Sequence, residues 1–286
     1  MRNFPSRNRH MKMKKNDLSD LFYLIDRLRD PNFGCEWDIS QDLETIVKFA
    51  LEEVYEVVDA VETGNYLHLK EELGDLLFQI IFMCKLADEK QLFDFDDVAA
   101  GLVAKLVRRH PHVFPDGTLH SQRAKGSDGC LKQISAKWEE IKLAERVRKG
   151  QDGLLSNIPI AIPALARAEK IQKRAAKAGF DWDNVDKVLS KVKEELRELE
   201  DSMNEGALAA IEDEFGDLLF SCVNLARHLN INSERALRKA SRKFVDRVYK
   251  VEALCEPSGL KKLASDELEM LWQKVKFDEN NVTEEY

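Results

Sequence analysis

Proline is scarce in this sequence, and none falls between Pro31 and Pro111 or between Pro163 and Pro257. Each interval is long enough for two or three uninterrupted helices, because the residue that most strongly breaks a helix is missing from it. Glycine is equally sparse, at 13 of 286 residues. The cysteines Cys35, Cys84, Cys130, Cys222 and Cys255 lie far apart and form no Cys-x-x-Cys pair. That spacing argues against a zinc site or a disulfide framework and fits free thiols in a reducing, cytoplasmic compartment. No stretch approaches the 18 or so apolar residues of a membrane-spanning helix. An excess of positive charge is also missing: the net charge of −8 argues against a nucleic-acid polymer as partner. A small phosphorylated ligand stays open, since a few local Lys and Arg suffice for it. Residues 1–16 are basic but carry no apolar core, so they are expected to form a disordered leader, not a secretory signal.

What the chain has in quantity is charge. Asp, Glu, Lys and Arg make up 34% of it, and with so few breakers this composition reads as amphipathic helices with solvated outer faces. No segment alternates with the period of two that a half-buried strand requires. Breakers gather between the two proline-free intervals, from His110-Pro111 through Gly150, Gly153, Pro159 and Pro163, although Leu131 to Arg148 keeps a helical period. The expected division is therefore a module over 17–150, a linker over 151–163 and a second module over 164–286.

The two modules are repeats. The first reads Glu52-Glu53-x-x-Glu56, then Glu72-x-x-Asp75-Leu76-Leu77-Phe78; the second reads Glu194-Glu195-x-x-Glu198, then Glu214-x-x-Asp217-Leu218-Leu219-Phe220. Glu56 and Glu72 are 16 residues apart, and so are Glu198 and Glu214. A basic pair follows in each, Lys105 with Arg109 and Lys243 with Arg247, and then a Trp with a Lys four residues on, Trp138 with Lys142 and Trp272 with Lys276. Gly64-Asn65 and Asn204 to Gly206 mark short turns that would set the acidic helices antiparallel. The fold class that follows is all-α, a tandem repeat of two helical-bundle modules.

Carboxylates three apart share a helix face, so a hairpin would gather Glu53, Glu56, Glu72 and Asp75 around one point, and Glu195, Glu198, Glu214 and Asp217 around another. Two like charges about 5 Å apart repel by roughly 3 kcal/mol at an effective dielectric near 20. A hard divalent ion, Mg²⁺ or Mn²⁺, reverses that cost because it takes oxygen ligands. Val57, Val58, Leu73, Leu76, Leu77 and Phe78 interleave with the first set and suggest the edge of a packed interior. Gly74 and Gly216, each costing a helix about 1 kcal/mol relative to Ala, suggest close helix approach. A solvated acidic face is the plain alternative, and the repetition weighs against it. A di-iron bundle is excluded, since no Glu-x-x-His occurs.

With these motifs and the Arg108-Arg109-His110-Pro111-His112-Val113-Phe114 stretch, the sequence from about Asp17 to Lys276 resembles the MazG family of nucleoside triphosphate pyrophosphohydrolases. The resemblance implies hydrolysis of a nucleoside triphosphate to a monophosphate and pyrophosphate, metal ligation by the eight carboxylates above, and a homodimer. It further implies that Glu52 and Glu194 orient or deprotonate the attacking water. Lys191, Lys243, Arg247, Trp272 and Lys276 would then contact the phosphates and nucleoside of the second module. Lys191 stands one turn before Glu195, where the first module has Phe49; the second module is therefore expected to carry most turnover. Related activities, a dUTP or dCTP pyrophosphatase or a phosphoribosyl-ATP pyrophosphohydrolase, use similar helices, and a helical interaction protein is the non-enzymatic alternative. His110 and His112 are expected to cap or pack a loop, and His228 to pack.

Overall fold

Helix-capping side chains set where the elements begin. Asp17 and Asp42 each accept from the backbone three or fewer residues on and form capping boxes before α1 (Leu18–Leu28) and α3 (Leu43–Thr63), satisfying N–H groups that have no partner within the helix. The computed structural model describes residues 16–123, 130–148, 150, 153–255 and 264–283; the leader expected over 1–16 falls outside these apart from Asn16. Among the described residues all regular structure is helical and no strand occurs. The remaining elements are α2 (Glu36–Ser40), α4 (Tyr66–Glu89), α5 (Phe95–Arg109), α6 (Leu131–Arg148), α7 (Ala164–Lys177), α8 (Val185–Glu205), α9 (Leu208–His228), α10 (Ser233–Leu254) and α11 (Ser265–Thr283). The chain divides into two compact units, Met1–Lys142 and Leu143–Tyr286, so the division falls within α6.

In the first unit α3 and α4 form a hairpin whose turn is Gly64-Asn65. Gly64 adopts φ +71°, a left-handed conformation that closes a helix and that only glycine takes without strain. The side chains of Ile25, Ile46, Ile81, Phe82 and Leu86 form the buried centre, flanked by Phe22, Phe49 and Phe78. Each such side chain contributes about 1.5–3 kcal/mol on full burial. Phe22 meets Phe95 edge-on at 4.9 Å, which fixes α5 against α1. Arg29 closes the far end with a forked pair to Glu89, Nε to Oε1 at 2.9 Å and Nη2 to Oε2 at 2.7 Å.

The second unit repeats the hairpin with α8 and α9, turned by Gly206 at φ +79°. Buried Val188 and Leu199 on α8 and Val223 on α9 line its interior. Helix α7 lies on α9, where Gln172 Nε2 donates to the Phe220 carbonyl at 2.8 Å. Helix α10 packs on α7, α9 and α11.

Two expectations about packing are corrected. Among the described residues, a Cβ built on Gly74 or Gly216 meets nothing within 4 Å, so neither glycine serves a close approach of helices within its own unit. The reason is rotational: buried Glu72 marks the inward face of α4, and Gly74, about 200° further round at 100° per residue, lies on the opposite face. Leu73 is 50% exposed for the same reason, while Val57, Val58, Leu76, Leu77 and Phe78 are half-buried.

Candidate metal centres

The α3–α4 hairpin gathers Glu53, Glu56 and Glu72 so that one carboxylate oxygen from each lies within 4.8 Å of the others. The α8–α9 hairpin does the same with Glu195, Glu214 and Asp217. Asp75 lies close enough to raise the pKa of Glu53, and Glu198 shares a hydrogen-bonding contact with Glu195. Each hairpin thus brings three of its four expected carboxylates together and leaves the fourth, Asp75 or Glu198, as a neighbour of one of them; Glu72 and Glu195 are buried at 5% exposure, and Glu52 and Glu194 are exposed.

Crowding is visible in the titration of these groups. Glu53 is raised, first by desolvation and then by Asp75 and Glu56, and is partly relieved by a hydrogen bond from Gln79. Desolvation and the facing Glu56 carboxylate raise Glu72, against the opposing influence of His68. Glu198 rises through desolvation and its contact with Glu195, offset by Lys191. Two carboxylates facing each other are both acceptors, and Glu72 Oε2 accordingly has no partner among the described residues. A buried oxygen left this way is costly, and a proton or a cation removes the cost. The donors are all oxygen, the set a hard divalent ion takes.

The counter-charges differ between the units. Lys191 reaches Glu194 Oε1 at 2.6 Å and Glu195 Oε1 at 2.9 Å, and these hydrogen bonds push its own pKa up. In the first unit the matching position is Phe49, which packs on the core and meets Trp37 edge-on at 5.6 Å. The neighbour of the buried glutamate there comes from the other helix: His68 Nδ1 lies 2.9 Å from Glu72 Oε1. Sequence reading missed His68, although its place four residues before Glu72 is the spacing that joins side chains on a helix.

The remaining expected contacts lie on α10 and α11. Arg247 sits 5.8 Å from the centre of the Trp272 ring, and Phe244 tilts against the same ring at 5.2 Å. Arg247 Nε also pairs with Glu279 Oε2 at 2.8 Å, with Lys250 on the other oxygen at 2.7 Å; both hold Glu279 below the usual carboxylate range. Lys243 is exposed on α10 and Lys276 half-buried on α11. The structure therefore joins Arg247 to Trp272, on a helix pair distinct from the one bearing the carboxylates. The corresponding Trp138 and Lys142 meet directly, Nζ 3.6 Å from the ring centre.

The histidines weighed in the sequence behave as loop and packing residues. His110 ends α5 and holds the Leu106 carbonyl through Nδ1 at 2.6 Å. His228 Nε2 lies 3.0 Å from Asp181 Oδ1, which also accepts from Arg227.

Residues 41–114 and 184–251 each match the MazG nucleotide pyrophosphohydrolase domain. Over 268 residues the chain is 43% identical to the nucleoside triphosphate pyrophosphohydrolase of Escherichia coli strain K12, spanning 92% of this chain and 98% of that protein. It is 41% identical over 259 residues to the nucleoside triphosphate pyrophosphohydrolase/pyrophosphatase MazG of Thermotoga maritima, covering 90% and 94% of the two chains. A nucleoside triphosphate pyrophosphohydrolase of Mycolicibacterium smegmatis is 34% identical over 197 residues, 68% of this chain and 56% of that one.

Proposed function

This chain belongs to the MazG nucleotide pyrophosphohydrolase family, and from that membership we propose that it hydrolyses nucleoside triphosphates to a monophosphate and pyrophosphate at its two carboxylate clusters. The observation that carries the reading is the repeated gathering of three carboxylate oxygens within 4.8 Å in each hairpin, around one buried glutamate, Glu72 or Glu195. Glu53, Glu56, Glu72 and Asp75, and Glu195, Glu198, Glu214 and Asp217, are the residues that would hold the ion, taken here to be Mg²⁺ with Mn²⁺ as a substitute. When bound, the ion supplies positive charge against the phosphate oxygens, the main requirement of phosphoryl transfer.

The chain's own groups do the rest. Glu194 and Glu52, exposed beside the clusters, are assigned to take the proton of the attacking water. Its oxygen then bonds to the α-phosphorus as the bond to the bridging oxygen breaks and pyrophosphate leaves. Lys191 would contact the phosphates, and Lys243, Arg247, Trp272 and Lys276 would serve the remaining phosphate charge and the base. The second module, over 164–286, is the faster of the two, and the first, over 17–150, is the slower or regulatory one, with 151–163 as linker.

Free cysteines throughout and the lack, among the described residues, of a helix long and apolar enough to cross a membrane support a cytoplasmic enzyme. A homodimer is proposed because Leu196, Phe215, Leu219 and Phe220 remain exposed beside the second cluster, an apolar set that a second copy would cover.

The test is to incubate the protein with a panel of canonical and modified nucleoside triphosphates and Mg²⁺ and to identify the products. Monophosphate plus pyrophosphate, abolished by chelation and reduced by Glu198→Gln to at most the slower rate of the first module, is expected. Diphosphate plus orthophosphate would overturn the cleavage position, and turnover of no triphosphate would favour an interaction protein.

A further inference from the structure

The two clusters are braced by different chemistry on different helices. In the second unit a permanent cation, Lys191 of α8, lies on the ligand of its own helix, Glu195. In the first unit the brace is an imidazole on the partner helix of the hairpin: His68 of α4, one turn before Glu72. Position 210, which matches His68 in the second module, is alanine, so the second cluster has no equivalent group.

The His68–Glu72 contact has a directional consequence. Glu72 is 93% buried at its side chain, and its two oxygens are differentiated: Oε1 lies 2.9 Å from His68 Nδ1, while Oε2 is buried with no hydrogen-bond partner among the described residues; one Glu72 oxygen lies within 4.8 Å of an oxygen of Glu53 and of Glu56. A free carboxyl group rotates about its last torsion with little preference between its oxygens. With Oε1 against His68, that rotation is restricted, and Oε2 is the buried oxygen left for a further partner. Hydrogen bonds to ligating carboxylates act this way around metal ions, fixing orientation before the ion arrives.

We infer that His68 is a positioning residue of the first module's ion site, aiming Glu72 Oε2 at the ion by holding Oε1. The inference rests on the carboxylate reading proposed above and adds to it a residue that neither the acidic motif nor the second module contains. Glu72 is the ligand, and His68 acts through it.

The experiment uses the full chain with the second cluster disabled by Glu195→Gln and Asp217→Asn, and follows Mn²⁺ binding through loss of the free-ion EPR signal, with no substrate present. His68→Ala in this background is expected to weaken binding by about tenfold or more, the usual effect of removing such a support. His68→Asn, which returns an N–H donor near the place of Nδ1, is expected to recover most of it. Far-UV circular dichroism and the unfolding midpoint in EDTA verify that both variants fold. Unchanged affinity in folded His68→Ala, with Glu56→Gln abolishing binding, would overturn the role of His68 while leaving the carboxylate site intact. Failure of the background protein itself to bind Mn²⁺ at the first cluster would overturn the carboxylate reading and the inference with it.

Discussion

Lys191 Nζ lies 2.9 Å from Glu195 Oε1, one turn along the same helix, and sets its ammonium charge against that buried carboxylate. The same nitrogen is 2.6 Å from Glu194, so one side chain ties together the proposed ligand and the proposed base. An ion held at the proposed site would compete with it for Glu195.

That competition predicts opposite movements in two quantities. In Lys191→Ala, the second cluster is expected to bind Mn²⁺ at least as tightly as before, because its internal competitor is gone. Turnover should fall roughly 10²-fold, the scale on which one aimed donor to a developing oxyanion acts. Mn²⁺ titration beside single-turnover hydrolysis measures both; parallel loss of binding and turnover would mean that Lys191 only holds the helix.

A second prediction follows from the raised carboxyl of Glu72. Its ordinary value is near 4.5, and in the folded protein desolvation and Glu56 lift it. Between those two values the folded state holds more protons than the unfolded chain. Ion-free stability therefore is greatest below about 4.5 with respect to this group and declines as pH rises through the raised value. Glu72→Gln removes the titration, so in EDTA its unfolding midpoint should fall less as pH rises from about 4.5 than that of the natural chain. With Mg²⁺ the order should reverse, since a ligand has been lost and the ion raises the midpoint only by binding the folded form. Thermal unfolding across that range decides it; superimposable curves in EDTA would count against the crowding argument.

The hairpin turns yield a third. Gly64 and Gly206 sit at φ +71° and +79° with open space around the missing Cβ, so alanine there meets a conformational cost and no clash. Gly64→Ala and Gly206→Ala should each destabilise their hairpin by about 1 kcal/mol, lowering the midpoint by a few degrees. A markedly larger loss, read by calorimetry, would indicate that the turn also bears a contact.

The helical hairpins and the carboxylate clusters were readable in the sequence because both follow from short-range periodicity. Glu53 with Glu56 and Glu72 with Asp75 share faces by spacing alone, and Gly64 and Gly206 announce turns through the one backbone conformation that demands them. Arg247 with Trp272 and Glu279 was only half readable. Order along the chain suggested the first two as partners, but nothing in it pointed to Glu279, 32 residues on and brought near by the α10–α11 contact. The Asp181, Arg227 and His228 group was hidden for the same reason, as was the short α2. Gly74 and Gly216 misled because a glycine in a helix reports a cost, and its cause lies on whichever face the fold turns outward.

Carrying both hairpins on one polypeptide has a consequence of stoichiometry. Every molecule synthesised brings one cluster braced by Lys191 and one braced by His68, so their numbers stay equal at any expression level and at any dilution. On the proposed reading, the two sites would draw on one magnesium supply in a fixed one-to-one ratio that gene dosage leaves unchanged.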